Sequence, residues 1–430
     1  MLRNNQFLKQ FAGKELLSEP TVPIIRQSRD EKMQRAEQDE PFLERAGCSG
    51  TEECIRIPIY MHRRFVIMIC YILLLFFLLL FGATFCEPGD FQEAHFTKSY
   101  ELPLRGFLTL VIVYHHLSQY LGIVSAFPIF WEIGTLCVSV FFFYSGYGLM
   151  KSAAENPAYF THFFRRRYLH IFLPFFLCNL LYLAVYYAAG DRFSPSLFLQ
   201  YLLGIRLINP QSWYILVIAL FYLVFYLCFH LVHHRIGSLF LLLLFQLFYP
   251  SFCIIMGKQS NWLQGEWWFN TTFLFLIGVL TSQFEPILMH AAKKYYTPLL
   301  VLATLSFFCV YPASVRICSQ KEALLPFSTL SIKALSEPLL CFMWRTLAAF
   351  SFNFFLFLFT FKIRFSNPFL IFLGQHSLEL YLSHGLFLEL FRRQELYPGN
   401  DFLYTLFVLL FSLLSAWLLH RTFRLLSFSK

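Results

Sequence analysis

Charged residues are scarce in this chain of 430 residues, because Asp, Glu, Lys and Arg together make up 14% of it, against 57% hydrophobic residues. A soluble domain would be far more polar, with about a quarter of its residues charged. The composition therefore indicates a polytopic membrane protein. The formal net charge of +9 does not indicate a nucleic-acid partner, because the basic residues stand in short clusters between apolar runs, as in cytoplasmic loops.

The chain also lacks the cysteine spacing of a zinc or disulfide site. Its eleven Cys are scattered, mostly in apolar segments, and no Cys-x-x-Cys pair occurs, so they are expected to be small buried hydrophobes. No metal is expected. Strongly alternating segments, which would predict a β-barrel, are absent. No internal repeat stands out, which weakens the case for an inverted-repeat transporter.

Apolar runs divide the chain into four parts. Residues 1–64 form a polar tail of mixed charge, expected to be flexible or partly helical outside the bilayer, and no cleavable signal peptide is expected because the first apolar run comes late. Residues 65–85 predict an extra transmembrane helix, residues 103–419 a membrane core and residues 420–430 a basic tail. The sequence thus predicts an all-α membrane protein of about eleven helices, ten of them in the core. The predicted spans are Phe65–Phe85, Arg105–Tyr120, Phe130–Met150, Tyr168–Ala188, Trp213–Leu231, Leu239–Ile255, Phe269–Phe284, Pro298–Val315, Leu339–Phe361, Pro368–Phe391 and Phe402–Leu419.

Basic clusters predict the orientation of these spans. The clusters at 165–167, 233–235, 293–294, 362–364 and the C-terminus occur at every second boundary, and the positive-inside rule puts all of them in the cytoplasm. The start of the Arg105 helix is then cytoplasmic and the N-terminal tail lies outside. Arg63 and Arg64 beside the first span favour the opposite side. Either the first span is an N-outside addition, or it does not fully cross.

The stretch from Leu104 to His116 organises the chain, because it places ionisable groups inside an apolar segment. Such groups are costly in a membrane and are functional candidates. On an α-helix, Arg105 and His116 are about 16 Å apart with an angular offset of about 20°, so they share one face. His115 is offset by about 100° and should face elsewhere. The alternative is a purely structural role, in which the Arg side chain extends to the membrane surface and the His hydrogen-bonds to a neighbouring helix.

Three further groups of polar residues have two interpretations each. The cluster Arg165, Arg166 and Arg167, with His170, is either topogenic or a phosphate site, since Arg forks match phosphate oxygens. Ser145, in a Ser-Gly-Tyr-Gly stretch that includes Tyr147, is more simply explained by close helix packing than as a nucleophile. In the helix after Gly374, Glu379 and His384 either orient a catalytic partner or pair with one another. Arg345 and Glu132 are further intramembrane charges without an assigned role.

In their order along the chain, these motifs resemble those of acyltransferase family 3, polytopic membrane enzymes that O-acylate bacterial surface glycans and related molecules. The family's Arg-Gly with a His eleven residues later matches Arg105-Gly106 and His116, and its Phe-Phe-x-x-Ser-Gly-Tyr/Phe stretch matches residues 142–147. Its Arg-Arg-x-x-Arg-Ile-x-Pro stretch matches residues 166–171 with His170 in place of the last Arg and Pro174 one residue late. The stretches Ser212-Trp213-Tyr214 and Gly374 to His384 are also similar to the family, and the resemblance covers about residues 103–419.

The resemblance implies an activity and a cofactor. Acyl-CoA, acetyl-CoA in the simplest case, would enter as co-substrate from the cytoplasm, with its phosphates on Arg105, Arg165, Arg166, Arg167 and His170. His116 would be the general base on a hydroxyl of a saccharide or lipid-linked glycan. Ser145, Tyr147, Trp213, Glu379 and His384 are possible supporting residues. The expected location is the bacterial cytoplasmic membrane, in contact with lipid, and the alternative function is a transporter or flippase of a lipid-linked saccharide.

Overall fold

A computed structural model of the protein describes residues 66, 69–87, 89–92, 96–121, 133–232, 234–257, 263, 265–319, 332–393 and 395–427. The predicted N-terminal tail and Glu132 lie outside the described residues. The helices of the described part are α1 (Ile69–Leu80), α2 (Lys98–Tyr120), α3 (Ile133–Glu155), α4 (Phe163–Ala188), α5 (Pro195–Leu202), α6 (Trp213–Tyr226), α7 (Arg235–Met256), α8 (Phe273–Gln283), α9 (Glu285–Lys294), α10 (Tyr296–Cys318), α11 (Ile332–Thr360), α12 (Pro368–Gln375), α13 (Ser377–Leu390) and α14 (Asp401–Ser427).

Two short strands, β1 (Thr84–Phe85) and β2 (Ile363–Arg364), pair antiparallel, with Thr84 opposite Arg364 and Phe85 opposite Ile363. The hydroxyl of Tyr100 in α2 donates hydrogen bonds to the backbone carbonyls of Thr360 and Ile363. These contacts gather the end of α1, the start of α2 and the start of α12 at one end of the helix bundle. The predicted all-α membrane fold is confirmed for the described residues.

Seven described helices are long and apolar enough to cross a membrane, or eight if one bent pair counts as a single span. The predicted count of eleven is not confirmed. Three predicted spans account for the difference: α1 has a described helix of only Ile69–Leu80, α2 carries charges and histidines among its 23 residues, and the predicted span from Pro368 divides into α12 and α13 around His376. The bent pair is Glu266–Gln283 with Glu285–Lys294, which meet at 87°.

The first helix runs antiparallel to α2. Near its start, the Tyr71 hydroxyl lies 2.8 Å from the Thr405 hydroxyl, at the beginning of α14. Near its end, the carbonyl of Leu78 accepts a hydrogen bond of 2.8 Å from the Asn367 side chain, which caps α12. The start of α1 therefore lies at the end of the bundle opposite to the start of α2.

Glycines bring the motif-bearing helices into backbone contact. A Cβ at Gly106 would lie 2.0 Å from the backbone oxygen of Leu370, and one at Gly374 would lie 2.0 Å from that of Leu102. Only glycine allows α2 and α12 to pack this closely. The same reason explains the glycine of the Ser-Gly-Tyr stretch, because a Cβ at Gly146 in α3 would lie 2.0 Å from the backbone oxygen of Phe275 in α8.

Candidate active site

Arg105 lies about two turns into α2 and is partly exposed. Its Nη1 atom forms an ion pair of 3.4 Å with Glu101 Oε1, and 33% of its side chain is exposed. Its Nε atom is buried without a hydrogen-bond partner. The phenol of Tyr214, at the start of α6, contacts the Ser145 side chain and lies within electrostatic reach of Arg105. Within the described part of the chain, this Nε donor is therefore left for a further ligand.

His116 lies three turns farther along α2 and stacks on a second imidazole. Its ring centroid is 5.2 Å from that of His384 in α13, with an interplanar angle of 28°. His116 Nδ1 lies 3.0 Å from Gln119 Oε1, and Gln119 Nε2 lies 3.2 Å from His115 Nε2. An amide oxygen only accepts hydrogen bonds, so the proton of neutral His116 is assigned to Nδ1 and the basic lone pair to Nε2.

His115 occupies a different environment, as its angular offset predicts. A Cβ on Gly134, in the first turn of α3, would lie 2.4 Å from the His115 ring. The absence of a side chain at Gly134 therefore makes room for this imidazole, which is buried. His115 faces α3, whereas His116 faces α13. The two rings remain neighbours, with centroids 5.0 Å apart, and Gln119 links them.

His384 is fully buried and has a defined orientation. Its Nδ1 atom lies 2.7 Å from the backbone oxygen of Tyr381, and a carbonyl oxygen accepts only, so the proton is assigned to Nδ1. The Nε2 atom then carries a lone pair, and this atom is buried without a hydrogen-bond partner. The rings of His116 and His384 therefore meet inside the bundle. In each ring Nδ1 is the hydrogen-bonded atom and Nε2 is the basic atom.

A run of neighbouring aromatic side chains leads from the vicinity of Arg105 to His116. The Tyr214 phenol is within electrostatic reach of Arg105, and its ring centroid is 5.9 Å from that of Tyr381. The Tyr381 ring lies 6.0 Å from His384, which stacks on His116. The shared face of α2 that the sequence predicts is thus lined by residues of α6 and α13.

A glutamine missed by the sequence reasoning completes this region. The Tyr381 hydroxyl donates a hydrogen bond to the backbone oxygen of Gln211, and Gln211 Oε1 is buried without a partner. A Cβ at Gly385 would lie 2.6 Å from that oxygen. The Gln211 side chain therefore lies against α13 at Gly385, the residue after His384.

The predicted phosphate ligands of α4 lie outside this region. Arg167 Nε donates a hydrogen bond of 2.7 Å to the Tyr159 hydroxyl, whereas Arg165 and Arg166 are exposed. Within the described residues, no carboxylate forms an ion pair with Arg165 or Arg166. His170 is also exposed, and its ring lies 5.5 Å from that of Phe423 in α14. Among the described residues, the start of α4 therefore presents positive charge without a carboxylate partner.

The supporting candidates divide among three places. Glu379 does not pair with His384, because its Oε1 atom lies 2.9 Å from Nδ1 of His420 in α14. The Tyr147 hydroxyl donates a hydrogen bond of 2.9 Å to Glu285 Oε2 at the start of α9. Trp213 packs against Trp268, with ring centroids 6.1 Å apart. Of the predicted supporting residues, Ser145 and His384 are the two that join the run between Arg105 and His116.

The sequence contains a partial signal for the residues that were missed. Tyr214 and Tyr381 stand inside motifs already identified, next to Trp213 and three residues before His384. Gln119 follows His116 by three residues, a spacing that lets helical side chains meet. Gln211 lies in the turn just before α6, outside the motifs. Only the packing of α13 against this turn identifies it.

Comparison with known proteins identifies one family. The family model described as an acyltransferase domain matches residues 104–421, well over half of the chain. No curated protein matches the chain, and no solved structure matches it.

Proposed function

Since this chain belongs to acyltransferase family 3, we propose that it is a membrane O-acyltransferase that transfers an acyl group from acyl-CoA to a hydroxyl of a saccharide or cell-surface glycan. The transferred group in this proposal is acetyl, and the location is the bacterial cytoplasmic membrane. The observation that carries the proposal is the run from Arg105 through Tyr214, Tyr381 and His384 to His116. It joins an anion-binding guanidinium near one end of α2 to a basic nitrogen deep in the bundle.

The guanidinium groups supply the donor site of the proposal. Arg105 has one buried Nε donor without a partner, and Arg165 and Arg166 carry charge without a carboxylate partner among the described residues. Arginine forks bind phosphate oxygens with charge-assisted hydrogen bonds. In this proposal the phosphates of acyl-CoA bind near Arg105, Arg165 and Arg166. Arg167 and His170 stand at the edge of this phosphate site, and the pantetheine arm follows the face of α2 inward.

His116 supplies the base. Its Nε2 atom takes the proton of the acceptor hydroxyl while the hydroxyl oxygen attacks the thioester carbonyl carbon. The carbon–sulfur bond then breaks, an oxygen ester forms, and the CoA thiolate leaves and takes up a proton. Histidine is the side chain that most often acts as a general acid or base in enzymes. The neighbouring His384 and Gln211 offer acceptor atoms that can orient the attacking hydroxyl.

A transfer assay separates this proposal from the transporter alternative. Membranes that contain the protein are given acyl-CoA labelled in the acetyl group, and label is measured in the glycan fraction. We expect incorporation that depends on the protein. Movement of a lipid-linked saccharide across the membrane without incorporation of label would instead identify a carrier.

Arg105→Ala is expected to raise the KM for acyl-CoA about tenfold or more, because a hydrogen bond to a charged group contributes about 1.5–3 kcal/mol. The KM for the acceptor should change little, since Arg105 and His116 lie about three helical turns apart. Steady-state kinetics of purified protein with each substrate varied in turn measure both values.

The matched control is Arg192→Ala, which removes an arginine stacked on Tyr187 after the end of α4. It should leave the KM for acyl-CoA unchanged. An unchanged KM for acyl-CoA in Arg105→Ala would remove Arg105 from the phosphate site and leave the remaining arginines to be tested.

A further inference from the structure

A small cavity lies between α3, the turns before α8, α10 and α11. Its lining includes Thr135, Asn270, Thr271, Ser314 and Arg345. It has room for about one water-sized group. We call it the α3–α11 cavity. None of its residues belongs to the run between Arg105 and His116.

Three side chains in the cavity wall have hydrogen-bonding atoms that the protein leaves unsatisfied. These atoms are Asn270 Oδ1, Thr271 Oγ1 and Ser314 Oγ, which are buried without a hydrogen-bond partner. The three residues are 2%, 1% and 0% exposed. Buried polar groups are almost always hydrogen-bonded, so a concentration of unsatisfied ones around one cavity needs an explanation.

The backbone beside the cavity is also irregular. Residues 266–268 form a single 3-10 turn and residues 269–272 are turns, and α8 begins only at Phe273. Residues 268–272 are nevertheless buried. In membrane proteins, non-helical backbone within the bilayer is tolerated where it is buried in protein or lines a cavity, and broken helices often form binding sites. The segment therefore has the form of a ligand-binding wall.

The hydrogen-bonding groups of the three side chains fit a hydroxyl group better than an anion. Arg345 is 6% exposed on its side chain, and its Nη2 atom lies 3.2 Å from Glu266 Oε1, so its charge is compensated inside the protein. Asn270 Oδ1 can only accept a hydrogen bond, whereas the hydroxyls of Thr271 and Ser314 can donate or accept. A hydroxyl group satisfies all three, because it donates once and accepts twice. A carboxylate or phosphate has no proton for Asn270.

The cavity lies close to the proposed active site without being part of it. Thr135 in its lining directly follows Gly134, which contacts the His115 ring. On the other side, Trp268 precedes Asn270 by two residues and packs against Trp213, the neighbour of Tyr214. The first turn of α3 therefore borders both the cavity and the His115 ring.

We infer that the α3–α11 cavity binds one hydroxyl of a neutral saccharide acceptor, a hydroxyl remote from the one that is acylated. The inference rests on the proposed function, and it names the acceptor as neutral. Asn270, Thr271 and Ser314 hold the hydroxyl, and the ion pair between Arg345 and Glu266 keeps the site uncharged.

The test measures saccharide binding without catalysis. Purified full-length protein in nanodiscs is titrated with methyl glucoside, methyl galactoside and methyl N-acetylglucosaminide, and with methyl glucuronide as the acidic counterpart. We expect at least one neutral glycoside to bind more tightly than the glucuronide. Thr271→Val and Ser314→Ala should each raise its Kd about fivefold, the equivalent of one hydrogen bond, with the KM for acyl-CoA unchanged.

Ser351→Ala is the matched control. Ser351 lies in α11, is 1% exposed, and its hydroxyl already donates a hydrogen bond of 2.9 Å to the Ala348 carbonyl, so its removal should leave glycoside binding unchanged. Equal Kd values for wild type, Thr271→Val and Ser314→Ala would overturn the inference, as would tighter binding of the glucuronide or an equal loss in Ser351→Ala. Glycoside binding with the expected losses but without any acyl transfer would refute the proposed function and leave the saccharide site standing.

Discussion

His116→Ala is expected to lower acyl transfer by about 10²–10⁴-fold, the usual contribution of a positioned general base. The substitution removes the Nε2 lone pair that the hydrogen bond from Nδ1 to Gln119 orients. The KM for acyl-CoA should change little, because the proposed phosphate site lies toward the other end of α2. Initial rates of labelled acetyl transfer at saturating donor measure the effect.

His115→Ala is the comparison for this prediction. His115 faces Gly134, and its Nε2 atom lies 3.2 Å from Gln119 Nε2, so a loss of a few-fold is expected, in the range of one neutral hydrogen bond. His116→Gln keeps the size of the side chain without its basicity and checks for misfolding. If His115→Ala abolishes transfer and His116→Ala does not, the assignment of the base to the α13-facing side of α2 is wrong.

Gly146→Ala is expected to destabilise the fold by about 1–3 kcal/mol, the usual cost of overpacking. The new Cβ would lie 2.0 Å from the Phe275 backbone oxygen and 2.9 Å from its carbon, and backbone atoms cannot rotate away as a side chain can. α3 and α8 must therefore separate. The thermal unfolding midpoint of purified protein should fall by several degrees, and transfer should fall with it, because Ser145 is carried by the same turn.

The chain contains a close control in Gly148→Ala. Gly148 is two residues farther along α3, and a Cβ there meets nothing within 4 Å. Alanine in a helix interior is favoured over glycine by about 1 kcal/mol, so this variant should unfold at the same temperature as wild type or higher. Equal unfolding temperatures for the two variants would show that the α3–α8 contact is looser than the structure indicates.

Several features of the site could be predicted because they depend on one helix. The common face of Arg105 and His116, and the separation of His115 from it, follow from the helical repeat alone. The glycines at 106 and 146 could be linked to close packing because glycine has few other uses inside an apolar helix. Arg165 and Arg166 could be predicted as exposed charge from the clustering of basic residues at the start of a span.

Other features depend on which helices meet. Glu379 and His384 share one helix, and their spacing permitted a mutual pair, but the packing of α14 brings His420 to Glu379 instead. His384 is left to stack on His116. The unsatisfied oxygens of Asn270, Thr271 and Ser314 come from two segments that are more than forty residues apart in the sequence, and no local pattern joins them.

The amino-acid sequence by itself determined that this protein is helical, embedded in a membrane and a member of its family, because hydropathy, helical periodicity and motif order are properties of neighbouring residues. The tertiary structure alone decided which imidazole faces His116, which partner Glu379 takes, and where buried oxygens gather into a cavity. The physical reason is that a helix presents every face to possible neighbours, and the choice among them is made by backbone contacts such as those at Gly106 and Gly146. Those contacts form only when segments distant in the chain have packed.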